Sequence, residues 1–164
     1  MSGSRRVSLF VLLLAGAACQ SPRATPSGAT GEAGVRAMLA ALQVDLEREG
    51  PAGWMAYFAE DPAFFMASEG RLLFPDRAAA AEMVAAFDPR VAHMQLWLDD
   101  VRVELLDARR AVVAAAYREV ILDVDEHETP MRGYLTALVE LVDGAWRFRN
   151  LHWSSPLDGG GAAR

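Results

Sequence analysis

The first regular pattern in the chain is a stripe of apolar residues at helical spacing. Its members recur every three or four positions and are Val35, Met38, Leu39, Leu42 and Leu46. This spacing predicts an amphipathic helix, which Gly50-Pro51 ends. Pro51 then opens a short second helix carrying Trp54, Tyr57 and Phe58. Asp76 is the expected N-cap of a third helix over 77–87, which ends at Asp88-Pro89.

Beyond these helices the pattern changes to runs typical of strands. Short apolar runs on either side of Glu69-Gly70 predict a hairpin. Longer runs rich in Val, Leu and aromatic residues cover 93–106, 111–124, 132–142 and 145–154. Helices followed by consecutive antiparallel strands indicate an α+β fold.

The last two predicted strands form a hairpin whose turn is Asp143-Gly144. An unbroken ladder pairs Leu141 with Trp146, Val139 with Phe148, Ala137 with Asn150, and Leu135 with His152. Because side chains alternate with a period of two, these eight residues share one face, and we expect that face to line the interior. The opposite face mixes the pair Glu140–Arg147 with large apolar groups, which is typical of a subunit interface. We expect a homodimer through this face, which carries Tyr134, Leu138, Leu151 and Trp153.

The amino terminus has the organisation of a targeting segment. Arg5-Arg6 precedes a short apolar run, and small residues lead to Cys19. This resembles a bacterial lipoprotein signal, in which the cysteine is lipidated after cleavage. We interpret residues 1–19 as a signal peptide, 20–31 as a flexible linker, 32–156 as the folded domain and 157–164 as a disordered tail. An ordinary secretory peptide is the alternative, and the twin-arginine and general export routes both stay open.

The resemblance to lipoproteins implies a place in the cell envelope. The protein would be exported and held to the membrane by acyl chains on Cys19. Gln20 after the cysteine implies the periplasmic side of the outer membrane if the host is Gram-negative.

Composition limits the chemistry. The 164 residues carry a net charge of −6, so no basic surface argues for nucleic acid. Cys19 is the single cysteine, which leaves the folded domain without a thiol nucleophile or a disulfide. No nucleotide loop, zinc motif or nucleophile elbow is present. We therefore expect neither a cofactor nor a metal.

The order of elements and three local motifs resemble the SnoaL-like, nuclear-transport-factor-2-like superfamily. The motifs are Gly53-Trp54 to Asp61 before the first strand, Thr136 ten residues ahead of Trp146, and the closing Trp146, Phe148, His152 and Ser154. The resemblance implies a cone: a curved, mostly antiparallel sheet around three helices, with a cavity open at one end. Convex-face homodimers are common in this superfamily, which contains enzymes and non-enzymes, so function has to be argued from the site.

Two pairs of residues are candidates for catalysis. Asn150 and His152 share a strand face near the inferred cavity mouth, where His152 would move a proton and Asn150 would orient a carbonyl. The alternative is a buried structural histidine. Tyr117 and Glu119 share a face of 111–124, and a carboxyl in an apolar cavity would have a raised pKa. Both faces of that strand are apolar, so the sequence leaves open which one points inward.

Aromatic residues are the expected walls of the cavity: Trp54, Tyr57, Phe58, Phe74, Trp97, Tyr117, Trp146 and Phe148, together with Asn150 and His152. The acidic run from Asp123 to Glu128, which includes His127, is expected to be a solvated loop rather than a metal site.

The sequence supports two functional hypotheses. The first is an exported, lipid-anchored domain that binds a small apolar ligand or acts as an interaction module. The second is a metal-independent acid–base enzyme of the isomerase, cyclase or dehydratase type, with His152, Asn150 and Glu119 as candidates. An unfilled cavity favours ligand binding, whereas a cone filled with side chains favours the interaction module.

Overall fold

A computed structural model describes residues 29–60 and 64–156 of the chain. The predicted signal peptide with Cys19, most of the predicted linker, and the tail from residue 157 lie outside the described residues.

The helices occur where the apolar pattern and the capping residues predict them. Helix α1 is Gly31–Glu49, and a 3-10 helix, Gly50–Ala56, follows it with Pro51 in its first turn. Helix α2 is Arg77–Phe87, and the Asp76 side chain caps it by accepting a hydrogen bond from the Ala79 amide at 2.8 Å. None of the helices in the described part of the chain is both long and apolar enough to cross a membrane.

Six strands form one mixed sheet in the part of the chain that the structure describes. Their bounds are β1 Phe65–Ser68, β2 Arg71–Phe74, β3 Val91–Leu105, β4 Arg110–Asp123, β5 Glu128–Val142 and β6 Ala145–Ser154. The order across the sheet is β2-β1-β6-β5-β4-β3; β1 runs parallel to β6, and every other neighbouring pair is antiparallel. The α+β fold and the predicted hairpins are therefore confirmed.

The core lies between α1 and the inner face of the sheet. The five apolar residues of the predicted α1 stripe are all buried, each with at most 2% of its surface exposed. They pack in one cluster with inward-facing strand residues, among them Leu96, Val113, Leu135 and Phe148. Burying such a side chain contributes about 1.5–3 kcal/mol, so this layer holds the helix against the sheet.

A β-bulge at Arg149 interrupts the ladder between β5 and β6. Phe148 pairs with Val139, but the next pair on the ladder is Asn150 with Leu138, so Arg149 is the extra residue. One extra residue shifts the alternation of side chains by one position. The pairs predicted near the turn are therefore correct, whereas Ala137 with Asn150 and Leu135 with His152 are wrong: Ala137 pairs with Leu151, and Leu135 pairs with Trp153.

Candidate functional site

A cavity of about 310 Å³ lies against the inner face of the sheet. The 3-10 helix, the β1–β2 hairpin, α2 and the inner faces of β3 to β6 all contribute to its walls. The walls are mostly aromatic and aliphatic, and the rings that line the cavity are those of Trp54, Phe58, Phe74, Phe87, Tyr117 and Trp153. The interior of the cone is therefore only partly filled by side chains.

Glu119 projects from β4 into this apolar cavity. Only 8% of its surface is exposed, and it is the one charged or polar residue that is buried in the described part of the chain. No described residue forms a hydrogen bond or an ion pair with its carboxyl group. Burial raises the pKa of Glu119 from 4.5 to about 7, since removal from water disfavours the ionised form. Its carboxyl group is thus poised between its two protonation states near neutral pH.

Tyr117 stands two residues before Glu119 on the same face of β4. Its hydroxyl lies 3.2 Å from the hydroxyl of Ser155, and the Ser155 amide donates a hydrogen bond to the Glu69 carboxylate at 2.6 Å. Burial raises the pKa of Tyr117, and the negative charges of Glu119 and Glu69 raise it further. Tyr117 therefore remains a neutral hydrogen-bonding group beside Glu119.

Aromatic rings pack closely around this pair. The rings of Tyr117 and Trp153 meet edge to face, with centroids 4.4 Å apart, and Trp54 makes a similar contact with Trp153 at 5.7 Å. Trp54 also stacks on Phe58 at 5.8 Å. Contacts of this kind fix the ring orientations and keep the cavity wall in shape.

The bulge moves the sharpest predicted pair out of the cavity. His152 is exposed, and Asn150 lies on the outer face, so the prediction that both line the cavity is wrong. Leu151 and Trp153 point inward instead, with 2% and 7% of their surfaces exposed, so they cannot contribute to an interface on the outer face. The sequence contains a signal for this shift: Arg149-Asn150 are two consecutive polar residues, after which the apolar positions change parity.

The other predicted wall residues divide into three groups. Trp54, Phe58, Phe74 and Tyr117 line the cavity, as Glu119 does. Tyr57, Trp146 and Phe148 are buried in the core but do not line it. The prediction for Trp97 is wrong, because this residue lies on the outer face, where the Arg118 guanidinium sits 5.1 Å from its ring centroid. Sequence reasoning missed Trp153 and the methionines Met94 and Met131 as wall residues.

A second, polar groove of about 600 Å³ borders the 3-10 helix and the turn of the β5–β6 hairpin. Its two arginines serve the backbone: Arg77 donates to the Met55 carbonyl at 3.1 Å, and Arg147 donates to the Ala56 carbonyl. Arg147 therefore does not form the predicted ion pair with Glu140, whose partner is Arg149 at 2.9 Å. Arg77 and Arg147 thus hold the 3-10 helix in place beside α2 and the sheet.

The acidic loop between β4 and β5 brings ligand atoms of Asp123, Asp125 and His127 within 4.8 Å of one another. The Asp123 carboxylate already accepts hydrogen bonds from the amides of Asp125 at 2.8 Å and His127 at 2.9 Å. The bond from the His127 amide is the main reason that the pKa of Asp123 is lowered. The Asp123 carboxylate thus stabilises the turn of its own loop.

Comparison with known proteins agrees with this architecture. Residues 35–158 match the SnoaL-like domain. The chain belongs to this family. No curated protein shows a significant match to the sequence.

Solved structures show the same fold at low sequence identity. A protein named after scytalone dehydratase, from Novosphingobium aromaticivorans, superimposes with a TM-score of 0.67 at 15% identity, covering 80% of this chain and 88% of its own. A nuclear-transport-factor-2-like protein from Salmonella enterica gives 0.61 at 14% identity, covering 77% and 91%. A hexachlorocyclohexane dehydrochlorinase, LinA-type3 from Novosphingobium barchaimii, gives 0.58 at 16% identity, covering 80% and 93%. At these identities the likeness concerns the fold alone.

Proposed function

We propose that this SnoaL-like domain binds a small, largely apolar molecule in the cavity and anchors one polar group of that molecule at Glu119. The observation that carries the proposal is an unpartnered, buried carboxyl group inside an unfilled apolar cavity. Small-molecule sites combine apolar walls with a few placed polar groups in this way. An interaction module would have no need of such a hollow.

Binding of the neutral dye N-phenyl-1-naphthylamine tests the proposal. We expect saturable 1:1 binding with increased dye fluorescence. Replacing Val84, a half-buried residue of the α2 wall, by Trp would fill the space and weaken binding at least tenfold. Leu72→Trp is the matched control, because Leu72 is exposed and does not line the cavity. Absence of saturable binding, or equal affinity in both variants, would contradict the proposal.

Acid–base catalysis is a second candidate, and the near-neutral pKa of Glu119 favours it. A general base works best when its pKa lies close to the operating pH. Glu119 would accept a proton from a carbon acid in the cavity while the Tyr117 hydroxyl donates a hydrogen bond to the oxygen that gains charge. Two proteins that share the fold are named for eliminations, as a dehydratase and a dehydrochlorinase. Asn150 and His152 have no part in this version, because they lie on the outer face.

Elimination of 5-nitrobenzisoxazole would measure this capacity directly. A carboxylate removes the ring C–H proton, the N–O bond breaks, and a nitrile and a phenolate form. The rate should rise with pH with a midpoint of about 7, and Glu119→Gln should remove it. A rate that is unchanged in Glu119→Gln would count against a catalytic Glu119.

We also propose that the protein is exported and lipid-anchored through Cys19 in the cell envelope. The support is the sequence alone: Arg5-Arg6, the apolar run, and the small residues before Cys19. Acyl chains of this kind anchor a protein by about 0.8 kcal/mol per buried methylene. Mass spectrometry of the mature protein should show a triacylated amino-terminal Cys19, and an unmodified amino terminus would refute the anchor.

A homodimer through the outer face of the sheet is the remaining proposal. Tyr134, with 59% of its surface exposed, and Val112, with 38%, lie on this face beside the half-buried Leu138. An apolar surface with polar surroundings is typical of a subunit interface. We define this outer patch as Val112, Tyr134 and Leu138.

A further inference from the structure

Among the described residues, the charged groups that line the cavity all have one sign. Two carboxyl groups line it, that of Glu119 in the interior and that of the exposed Glu69 at the turn between β1 and β2. No arginine or histidine lines it in the described part of the chain, and the whole sequence contains no lysine. A ligand on its way to Glu119 therefore meets only negative charge or none.

The walls suit a positively charged group. Trp54, Phe58, Tyr117 and Trp153 present aromatic rings to the cavity. The face of an aromatic ring carries a negative quadrupole and attracts cations, Trp most strongly. The methionine side chains of the wall add polarisable sulfur. A carboxylate and aromatic rings together form the set of groups that recognises an organic ammonium ion.

Glu119 is the group of this set that a bound cation would contact directly. Glu119 has only 8% of its surface exposed, it lines the cavity, and its carboxyl group has no partner among the described residues. A buried charge without a counter-ion is destabilising, and a cation within hydrogen-bonding distance compensates it far better than a neutral group does. An anionic ligand would instead add a like charge in a medium of low dielectric constant.

We propose that the ligand of this cavity is a lipophilic amine, with its protonated nitrogen at the Glu119 carboxylate and its apolar body against the aromatic walls. This inference rests on the proposed ligand-binding function and adds the chemical class of the ligand. Glu69 contributes at the entrance, where its negative charge raises the local concentration of cations.

Three probes with one ring system test the class: 1-naphthylmethylamine, 1-naphthylmethanol and 1-naphthoate. They differ in charge and share the apolar body. Quenching of tryptophan fluorescence reports binding, since Trp54 and Trp153 line the cavity. At pH 8, where Glu119 is mostly ionised and the amine is protonated, we expect the amine to bind about tenfold more tightly than the alcohol and the naphthoate to bind most weakly.

Charge-neutral variants assign the preference to a residue. Glu119→Gln should reduce the amine-to-alcohol preference to within about twofold, and Glu69→Gln should lower it only slightly. Glu104→Gln is the matched control, because it removes an exposed glutamate of β3 outside the cavity and should retain the full preference.

The outcomes separate the two proposals. Equal binding of amine and alcohol, or a preference that survives Glu119→Gln, overturns the amine class while the ligand-binding function stands. Failure of all three probes and of the neutral dye overturns both.

Discussion

Glu119 is the residue at which stability conflicts with the function that we propose. The sequence already identifies Glu119 and Tyr117 as candidates. It does not decide whether they point into the interior, because small and β-branched apolar residues occupy both faces of β4. In the structure Val113 and Ala115 face the core, and Tyr117 and Glu119 continue that face into the cavity. Alternation alone could not decide this, since the alanines at 114 and 116 fit an outer face as well as an inner one.

The raised pKa of Glu119 makes stability depend on pH. Below pH 4.5 both folded and unfolded chains carry a protonated Glu119, so its burial costs no charge penalty. As pH rises the unfolded chain ionises first, and stability is lost until about pH 7, on the order of 3 kcal/mol in total. The difference in free energy of unfolding between Glu119→Gln and the wild type should therefore shift in favour of the variant as the pH rises from 5 to 8. Urea titrations at each pH measure this difference.

The control for this titration is Glu104→Gln, whose stability relative to the wild type should stay constant over the same range. Glu69 and Tyr117 also face the cavity, and both are unchanged in the comparison. A constant difference between Glu119→Gln and the wild type would show that Glu119 is not held in the apolar environment described.

At the scale of elements, β6 shows what can and cannot be predicted from a pattern. Helices α1 and α2 and the strands follow from periodicity, caps and turn residues, except that β5 begins at Glu128, four residues before the predicted start at 132. The faces of the second half of β6 cannot be predicted in this way, because a single-residue bulge at Arg149 reverses them. Periodicity assumes an unbroken ladder, and only the parity change after Arg149-Asn150 indicates otherwise.

Alanine substitutions on β6 distinguish the bulged strand from a regular one. Trp153→Ala should lower the free energy of unfolding by about 3–5 kcal/mol, because it empties a buried aromatic site. His152→Ala should change it by less than about 0.5 kcal/mol, because the side chain is exposed. Urea unfolding measures both changes. A larger loss of stability for His152→Ala than for Trp153→Ala would contradict the bulge and support a regular ladder.

Helix α2 depends on its cap and forms part of the cavity wall. Asp76→Ala removes the acceptor for the Ala79 amide and should cost about 1 kcal/mol of stability. Because Met83, Val84 and Phe87 line the cavity, dye binding should weaken as well. Asp76→Asn should preserve most of both properties, and Glu82→Ala, in the exposed middle of the same helix, should affect neither. Equal losses from Asp76→Ala and Glu82→Ala would contradict the capping role.

At the scale of the whole molecule, the two faces of the sheet have different tasks. The inner face holds the core and the cavity, and the outer patch of Val112, Tyr134 and Leu138 is the surface through which we propose that a second copy binds. Reasoning from sequence assigned Leu151 and Trp153 to the outer face, for the same reason that it misplaced His152.

The outer patch predicts a dimer that a single charge would break. Tyr134→Glu should convert the dimer to a monomer at micromolar concentration without unfolding it, because a buried unpaired carboxylate opposes association. Sedimentation velocity measures the change. Val44→Glu makes a similar substitution at an exposed site on α1 and should leave the dimer intact. A wild-type protein that sediments as a monomer, or a Tyr134→Glu dimer, would exclude this interface.

The extra residue of β6 also defines where this protein can lose an amino acid. Without Arg149, Phe148 would still pair with Val139 and Asn150 with Leu138, so each side chain beyond that point would keep its face. The ion pair to Glu140 would be lost, and such a pair is worth at most about 1 kcal/mol at a partly exposed site. A variant that lacks residue 149 should therefore still fold. Deleting Leu135 from the facing strand would instead move the side chains on one side of the deletion to the opposite face of the sheet. Length variation among related chains should concentrate at this point of the hairpin.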